Sequence, residues 1–243
     1  MSSSYELLPP SDNPAEQKDM GIEEQHVKSE VRGGDGVAQL VALAASGTTL
    51  IITWIAVSSN SPTKIGWFAF HPPLQTLALF LFTYGILTLQ PTSQPKTKAA
   101  GFQRHQFAIF FMGVPAITFG TLSVMYNKWL RDAEHFKTWH GTFGLLCMLW
   151  IGVQIAIGGG SVWFNGAAFG GSVKAKALWK YHRLSGYILF PMLLFTVNLG
   201  GAWSHWGQKN TSSFVRILAF VIAPAAVLTA LYSRVRTSKM KFF

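Results

Sequence analysis

Six long apolar stretches, separated by short polar segments, dominate the chain after residue 36. They run near 37–58, 66–89, 106–126, 139–160, 182–203 and 214–233. Each is close to the roughly 20 residues a helix needs to cross about 30 Å of hydrocarbon. None contains Asp, Glu or Lys, and arginine enters only near the ends, as Arg183 and Arg216. The stretches lack strict apolar–polar alternation and are about twice the length of a barrel strand. The pattern predicts an all-α membrane protein with six transmembrane helices. Pro72 and Pro73 predict a helix start at His71, with 66–70 as an apolar lead-in, because a proline's missing N–H costs nothing in a first turn. Pro115, Pro191 and Pro224 predict kinks.

Residues 1–36 read differently. They are polar, carry Pro9, Pro10 and Pro14, and cannot bury enough apolar surface to offset the entropy of ordering. No short apolar run follows a basic start, so no cleavable signal peptide is expected, and the first apolar helix would act as an uncleaved signal-anchor. The expected division is a disordered acidic tail over 1–36, a transmembrane domain over 37–236 and a short basic tail over 237–243.

Composition agrees with this division. Of 243 residues 49% are hydrophobic and 12% are charged, about half the charge of an ordinary soluble protein. That excludes a disordered regulator, a collagen-like fibre and a disulfide-stapled secreted domain. Cys147, the single cysteine, can close no intrachain bridge and cannot build a multi-cysteine zinc site. The net charge of +10 is the sum of −5 over residues 1–36 and +15 over the rest. The basic residues lie between apolar stretches rather than on a soluble module, so no nucleic-acid partner is expected.

Loop charge predicts orientation. The N-terminal tail, the 90–105 loop, the 161–183 segment and the C-terminus together hold fourteen Lys and Arg, and the opposite side holds six. The richer side is expected to be cytoplasmic, with both termini inside. Trp67, Trp129, Trp139, Trp203 and Trp206 then fall at the outer boundary, and Trp163 and Trp179 at the inner one, where amphipathic indoles settle. No internal repeat suggests a transporter built of duplicated halves.

Histidine supplies the candidate chemistry. His71, His105, His140 and His182 fall one on each of helices 2 to 5, all near helix starts. Consecutive helices run in opposite directions, so His71 and His140 share the outer level, and His105 and His182 the inner one. Helices 2–5 can form a central four-helix bundle whose facing side chains make cofactor sites. Intramembrane polar groups need partners, and carboxylates are absent from the spans. Zinc wants four ligands at one point, whereas the two levels lie roughly 20 Å apart within a 30 Å core. Two haems with two axial histidines each fit better. Gly141, Gly144 and Gly186 follow His140 and His182 and leave room for a porphyrin edge. Gly85 and Gly120 lie 14 and 15 residues after His71 and His105, about 21–22 Å along their helices and near the other level. The same pattern also permits a non-redox transporter or scaffold with interhelical histidines.

The segments WFAFHPPLQTLAL, HFKTWHGTFGLL and KYHRLSGYILF, with His105 between the first two, resemble the eukaryotic cytochrome b561 family. The resemblance is strongest to its small ascorbate-dependent ferrireductases and covers about 37–236. It implies a transmembrane one-electron oxidoreductase with two b-type haems, His71–His140 as the outer axial pair and His105–His182 as the inner. It further implies cytoplasmic ascorbate as donor, monodehydroascorbate or a ferric chelate as acceptor, and a homodimer in membrane lipid. The Ala-Leu-Leu-Val-Tyr-Arg type of segment that the ascorbate-recycling branch carries late in helix 2 is absent, and LTLQPTSQPKTK stands there.

Outer-sphere electron transfer is the chemistry expected of iron with both axial positions filled. An anionic donor needs a basic mouth, and Lys98, Arg104 and Arg183, close to His105 and His182 in sequence, are the candidates. On the outer side His135 lies five residues before His140 in a segment resembling the family's HFxSxH pattern, and is a candidate acceptor contact or proton relay.

Overall fold

A computed structural model describes residues 32–89 and 95–236. Most of the acidic tail and the last seven residues lie outside the described residues. Six helices in it are long and apolar enough to cross a membrane: α1 Asp35–Ser59, α2 Pro62–Leu87, α3 Thr97–Leu130, α4 Trp139–Gly160, α5 Val173–Ala202 and α6 Ser213–Ser233. The protein is an all-helical, multi-pass integral membrane protein. The helices coincide with the six apolar stretches, but α3 and α5 begin about nine residues early. Their first turns carry Lys98, Arg104, Lys174 and Lys176. Hydropathy marks where lipid begins, whereas backbone hydrogen bonding continues into the polar approach.

The lipid-facing surface is apolar. Phe111 and Phe119 of α3 and Leu149 of α4 are 63%, 65% and 64% exposed, as expected where hydrocarbon rather than water is the solvent. The core is a cluster of buried residues that includes Leu79, Phe82, Ile117, Ile151, Phe190 and Leu231. Helix α1 packs on α2 and α6, α2 on α3, and α4 on α5. The central bundle is thus two tight hairpin pairs, α2/α3 and α4/α5, facing one another.

Proline placement follows expectation, and the structure shows how the breaks at Pro191 and Pro224 are satisfied. Helix α2 passes from a 3-10 turn over Gly66–Phe70 into an α-helix at His71, with the prolines in its first turn. Widened π segments precede Pro115 and Pro224, over Gln106–Gly113 and Leu218–Ile222. A proline offers no N–H to the carbonyl one turn earlier, and that carbonyl must find a donor in a water-free setting. Before Pro224, the Phe220 carbonyl accepts from Asn198 Nδ2 at 2.7 Å and the Ala219 carbonyl from Thr49 Oγ1 at 2.8 Å. Before Pro191, the Tyr187 carbonyl accepts from the Tyr232 hydroxyl. The breaks at Pro191 and Pro224 therefore tie neighbouring helices together.

The ends of α1 and α6 meet in a polar knot. Arg234, 3% exposed, donates to the carbonyl of Asp35, to Gln39 Oε1 at 3.2 Å and to the carbonyl of Leu87 at 3.5 Å. Asp35, 5% exposed, pairs with Arg236 at 2.8 Å. Asp35 is thereby part of the folded helix bundle.

Candidate functional site

The four histidines converge in pairs. The imidazole centroids of His71 and His140 are 5.9 Å apart with planes at 78°, and those of His105 and His182 are 6.4 Å apart at 88°. Each pair bridges the two hairpins, one ring from α2 or α3 and one from α4 or α5. A metal–nitrogen bond of about 2 Å on each side, plus half a ring's width, separates two coaxial imidazoles by about 6 Å. The observed spacings are of that size. Among the described residues no three His, Cys, Asp or Glu side chains gather around one point. A metal at either pair would need its remaining ligands from a group other than these side chains.

The hydrogen bonds behind the rings repeat a single plan. His71 Nδ1 lies 2.9 Å from the Gly120 carbonyl, His105 Nδ1 3.1 Å from the Gly85 carbonyl, and His140 Nδ1 2.9 Å from the Thr196 carbonyl. A carbonyl only accepts, so Nδ1 carries the proton in each of these rings and Nε2 keeps its lone pair. That is the tautomer a metal requires. His182 is served by Gln154, whose backbone carbonyl bonds the ring. The side-chain amide of Gln154 also lies 2.7 Å from His182 Nδ1. With Nδ1–H donating, the amide oxygen must face the ring. The opposite orientation has the amide nitrogen donating to Nδ1 and to the His182 carbonyl at 3.2 Å, and it belongs to the other tautomer.

The plan is reciprocal. Helix α2 carries His71 and, fourteen residues on, the Gly85 carbonyl that orients His105 of α3. Helix α3 carries His105 and, fifteen residues on, the Gly120 carbonyl that orients His71. Helices α4 and α5 exchange His140, Gln154, His182 and Thr196 in the same way. Fourteen residues at 1.5 Å each place the two levels about 21 Å apart. Gly85 and Gly120 do reach the other level, and they act there through their carbonyls.

Close approach at the rings depends on two glycines that the sequence pattern did not single out. A Cβ on Gly158 would sit 2.7 Å from His182 Cε1, and one on Gly200 would sit 2.6 Å from His140 Cε1. Each lies eighteen residues, five helical turns, after the histidine on its own helix. That spacing was the available signal. A Cβ on Gly144 or Gly186 would make ordinary van der Waals contact, with Thr196 Cγ2 at 3.9 Å or Gln154 Oε1 at 4.0 Å, and one on Gly141 would press on the Phe136 backbone at 3.3 Å.

A cavity of about 950 Å³ opens around His105 and His182, at the upper end of the roughly 300–1,000 Å³ typical of cofactor and ligand sites. Lys98, Lys176, Arg183 and Arg236 line it. Two of the expected basic residues, Lys98 and Arg183, are therefore at the cavity. Arg104 is exposed and is not part of its lining. Lys176 and Arg236 were not singled out, because Arg236 arrives from the far end of the chain through its pair with Asp35. His135 is half-buried and its ring rests on Phe136 at 5.7 Å, just ahead of the α4 start. Phe136 has a φ of 56°, and Thr138 caps the helix by accepting from the Gly141 N–H at 3.1 Å.

Comparison with known proteins agrees with this arrangement. The sequence profile of eukaryotic cytochrome b561 matches residues 70–208, more than half of the chain and all four histidines. The chain belongs to the eukaryotic cytochrome b561 family. Membership of the cytochrome b561 family implies haem. The chain is also similar to the transmembrane reductase CYB561D2 of Bos taurus, 29% identical over 211 residues, covering 86% of this chain and 89% of that protein. The Homo sapiens counterpart is 28% identical over the same shares. The Mus musculus counterpart is 27% identical over 196 residues, 74% of this chain and 83% of the relative. Two buried indole groups support a fit to haem. Trp179 Nε1 and Trp206 Nε1 have no hydrogen-bond partner among the described residues. A buried donor left unpaired costs about 1–3 kcal/mol, so an acceptor is missing at both places.

Proposed function

We propose that this cytochrome b561-family protein is a transmembrane one-electron reductase that holds two b-type haems. His71 and His140 would ligate one, and His105 and His182 the other. The reading is carried by the two ring pairs near 6 Å, in which the Nδ1 atoms of His71, His105 and His140 face backbone carbonyls and leave Nε2 for iron. When bound, haem supplies the reversible ferric–ferrous couple.

The chain's own part is positional and electrostatic. The backbone carbonyls keep each imidazole in one tautomer and one orientation. Two histidines held on each haem iron would leave small molecules no open coordination position, which would favour electron transfer without bond formation. Ascorbate, an anion, is the proposed donor at the cavity beside His105 and His182. Lys98 and Arg183 would bind it there, with exposed Arg104 adding long-range steering. Monodehydroascorbate or a ferric chelate is the proposed acceptor at the His71–His140 end, near His135. The excess of Lys and Arg on the His105–His182 side supports a cytoplasmic assignment for it, with both termini inside. An electron moving outward across a membrane that is negative inside gains about 2.3 kcal/mol per 100 mV. A homodimer in the membrane is the proposed assembly.

The test is a reduced-minus-oxidised spectrum of the protein in sealed vesicles loaded with ferric chelate, with ascorbate added outside. The expected result is a Soret and α-band near two haems per chain and ferrous product inside the vesicles. Folded but colourless protein would remove the redox reading and leave a transporter or scaffold.

A further inference from the structure

The two unpaired indoles sit one at each histidine level. Trp179 lines the same cavity as His105 and His182, and Lys98 Nζ lies 5.9 Å from the centre of its ring. Trp206 packs edge-on to Phe68 at 5.7 Å, and Phe68 lies 6.0 Å from the His71 ring. Both Nε1 atoms are buried without an acceptor among the described residues. An indole N–H can only donate, so each site asks for an acceptor that the described residues do not provide. The one carboxylate on the spans among the described residues, Asp35, is already paired with Arg236 at 2.8 Å. A haem would bring two carboxylates on its edge.

We propose that Trp179 and Trp206 are carboxylate anchors, each donating its indole N–H to a propionate of the haem at its own level. The proposal rests on the two-haem reading above. At the cavity level the Lys98 ammonium adds a second donor for the same anionic edge. Burial from water makes such charge-assisted bonds strong and fixes the rotation of the macrocycle about its axial ligands. A donor on a propionate also offsets its negative charge, so removing the donor makes uptake of an electron less favourable.

The experiment uses the full-length holoprotein in lipid nanodiscs, with Trp179→Phe and Trp206→Phe, which keep a packed ring and remove only the N–H. Potentiometric titration should give one lowered midpoint in each variant, and a different one of the two in each. Wild-type protein reconstituted with haem dimethyl ester, which lacks the anionic edge, should show both midpoints displaced and no further change on either substitution. The wild-type part of this arm does not depend on whether the variants fold, and wild-type midpoints unmoved by the ester overturn the proposal. Red variants with both midpoints unchanged overturn the anchors and leave the haem reading standing. A raised KM for ascorbate in Trp179→Phe at an unchanged midpoint also overturns the proposal, because the donor anion would then be the acceptor of that N–H. Colourless wild-type protein would instead remove the haem reading itself.

Discussion

His140 Nδ1 and the Thr196 carbonyl lie 2.9 Å apart across the α4–α5 interface. That contact turns the free Nε2 toward His71, 5.9 Å away between ring centres. The His71–His140 level and the His105–His182 level share no ligand. Replacement of His140 by Ala should therefore reduce the haem content from two per chain to one. Haemochrome assay against protein concentration checks the stoichiometry. Retention of two haems in that variant would refute the pairing.

Gly158 and Gly200 offer a finer test, because their side chains would strike the rings themselves. Gly200→Ala should displace His140 and weaken its level, whereas Gly158→Ala should do the same to His182. Overpacking of this kind costs about 1–3 kcal/mol. The check is thermal unfolding in detergent together with haem retention during gel filtration. Equal loss from both levels in either variant would contradict the assignment.

Gln154 is the one partner of a histidine Nδ1 whose side chain, as well as its backbone, faces the ring. Gln154→Leu removes the amide and leaves the backbone carbonyl. Loss of an outer partner of a ligating histidine typically costs 10–100-fold in metal affinity, and with the carbonyl retained the expected loss is near the lower end, about tenfold. Haem transfer to apomyoglobin measures it. An unchanged transfer rate would mean that the carbonyl alone orients His182.

Lys98 and Arg183 face the cavity and Arg104 does not. Lys98→Gln and Arg183→Gln should each raise KM for ascorbate about tenfold, the loss of one charge-assisted hydrogen bond of about 1.5 kcal/mol. The effect should shrink as salt is added. Arg104→Gln should change KM little. Stopped-flow reduction by ascorbate at two ionic strengths separates the three.

Arg234 is buried with its guanidinium spread over Asp35, Gln39 and Leu87. Arg234→Ala leaves the Asp35 carboxylate with Arg236 but removes the donor that ties α1 and α2 to α6. Breaking a buried charged group of this kind costs about 3–5 kcal/mol. Fluorescence-detected thermal stability reads it, and a shift no larger than that of a surface lysine would exclude a structural role for the knot.

Much of this architecture was legible in the sequence, and the reasons are local. Apolar length gave the six helices. Antiparallel succession then sorted four helix-start histidines into two levels, and the structure brings those same pairs together. Proline chemistry located the start at His71 and the breaks near Pro115 and Pro224. What stayed hidden depends on contacts between distant parts of the chain. The Thr196 carbonyl meets His140 from 56 residues away, and a backbone carbonyl leaves no mark on residue identity. Arg236 reaches the cavity only because Asp35, 201 residues earlier, is folded into α1 rather than left in the acidic tail. Trp179 and Trp206 looked like ordinary boundary indoles, and only burial of their nitrogens distinguishes them.

Because each helix of a hairpin both bears one histidine and steadies its neighbour's, the stretch from His71 to Gly85 works as a ruler. Its fourteen residues fix the separation of the two histidine levels at about 21 Å, the distance an electron would cross between the two proposed haems. One residue inserted there would turn the far carbonyl by about 100° and lift it by about 1.5 Å. His105 would lose its brace while His71 stayed in place. Length variation in this family member should therefore be confined to the connecting loops, since the stride between its two histidine levels is cut into the helices themselves.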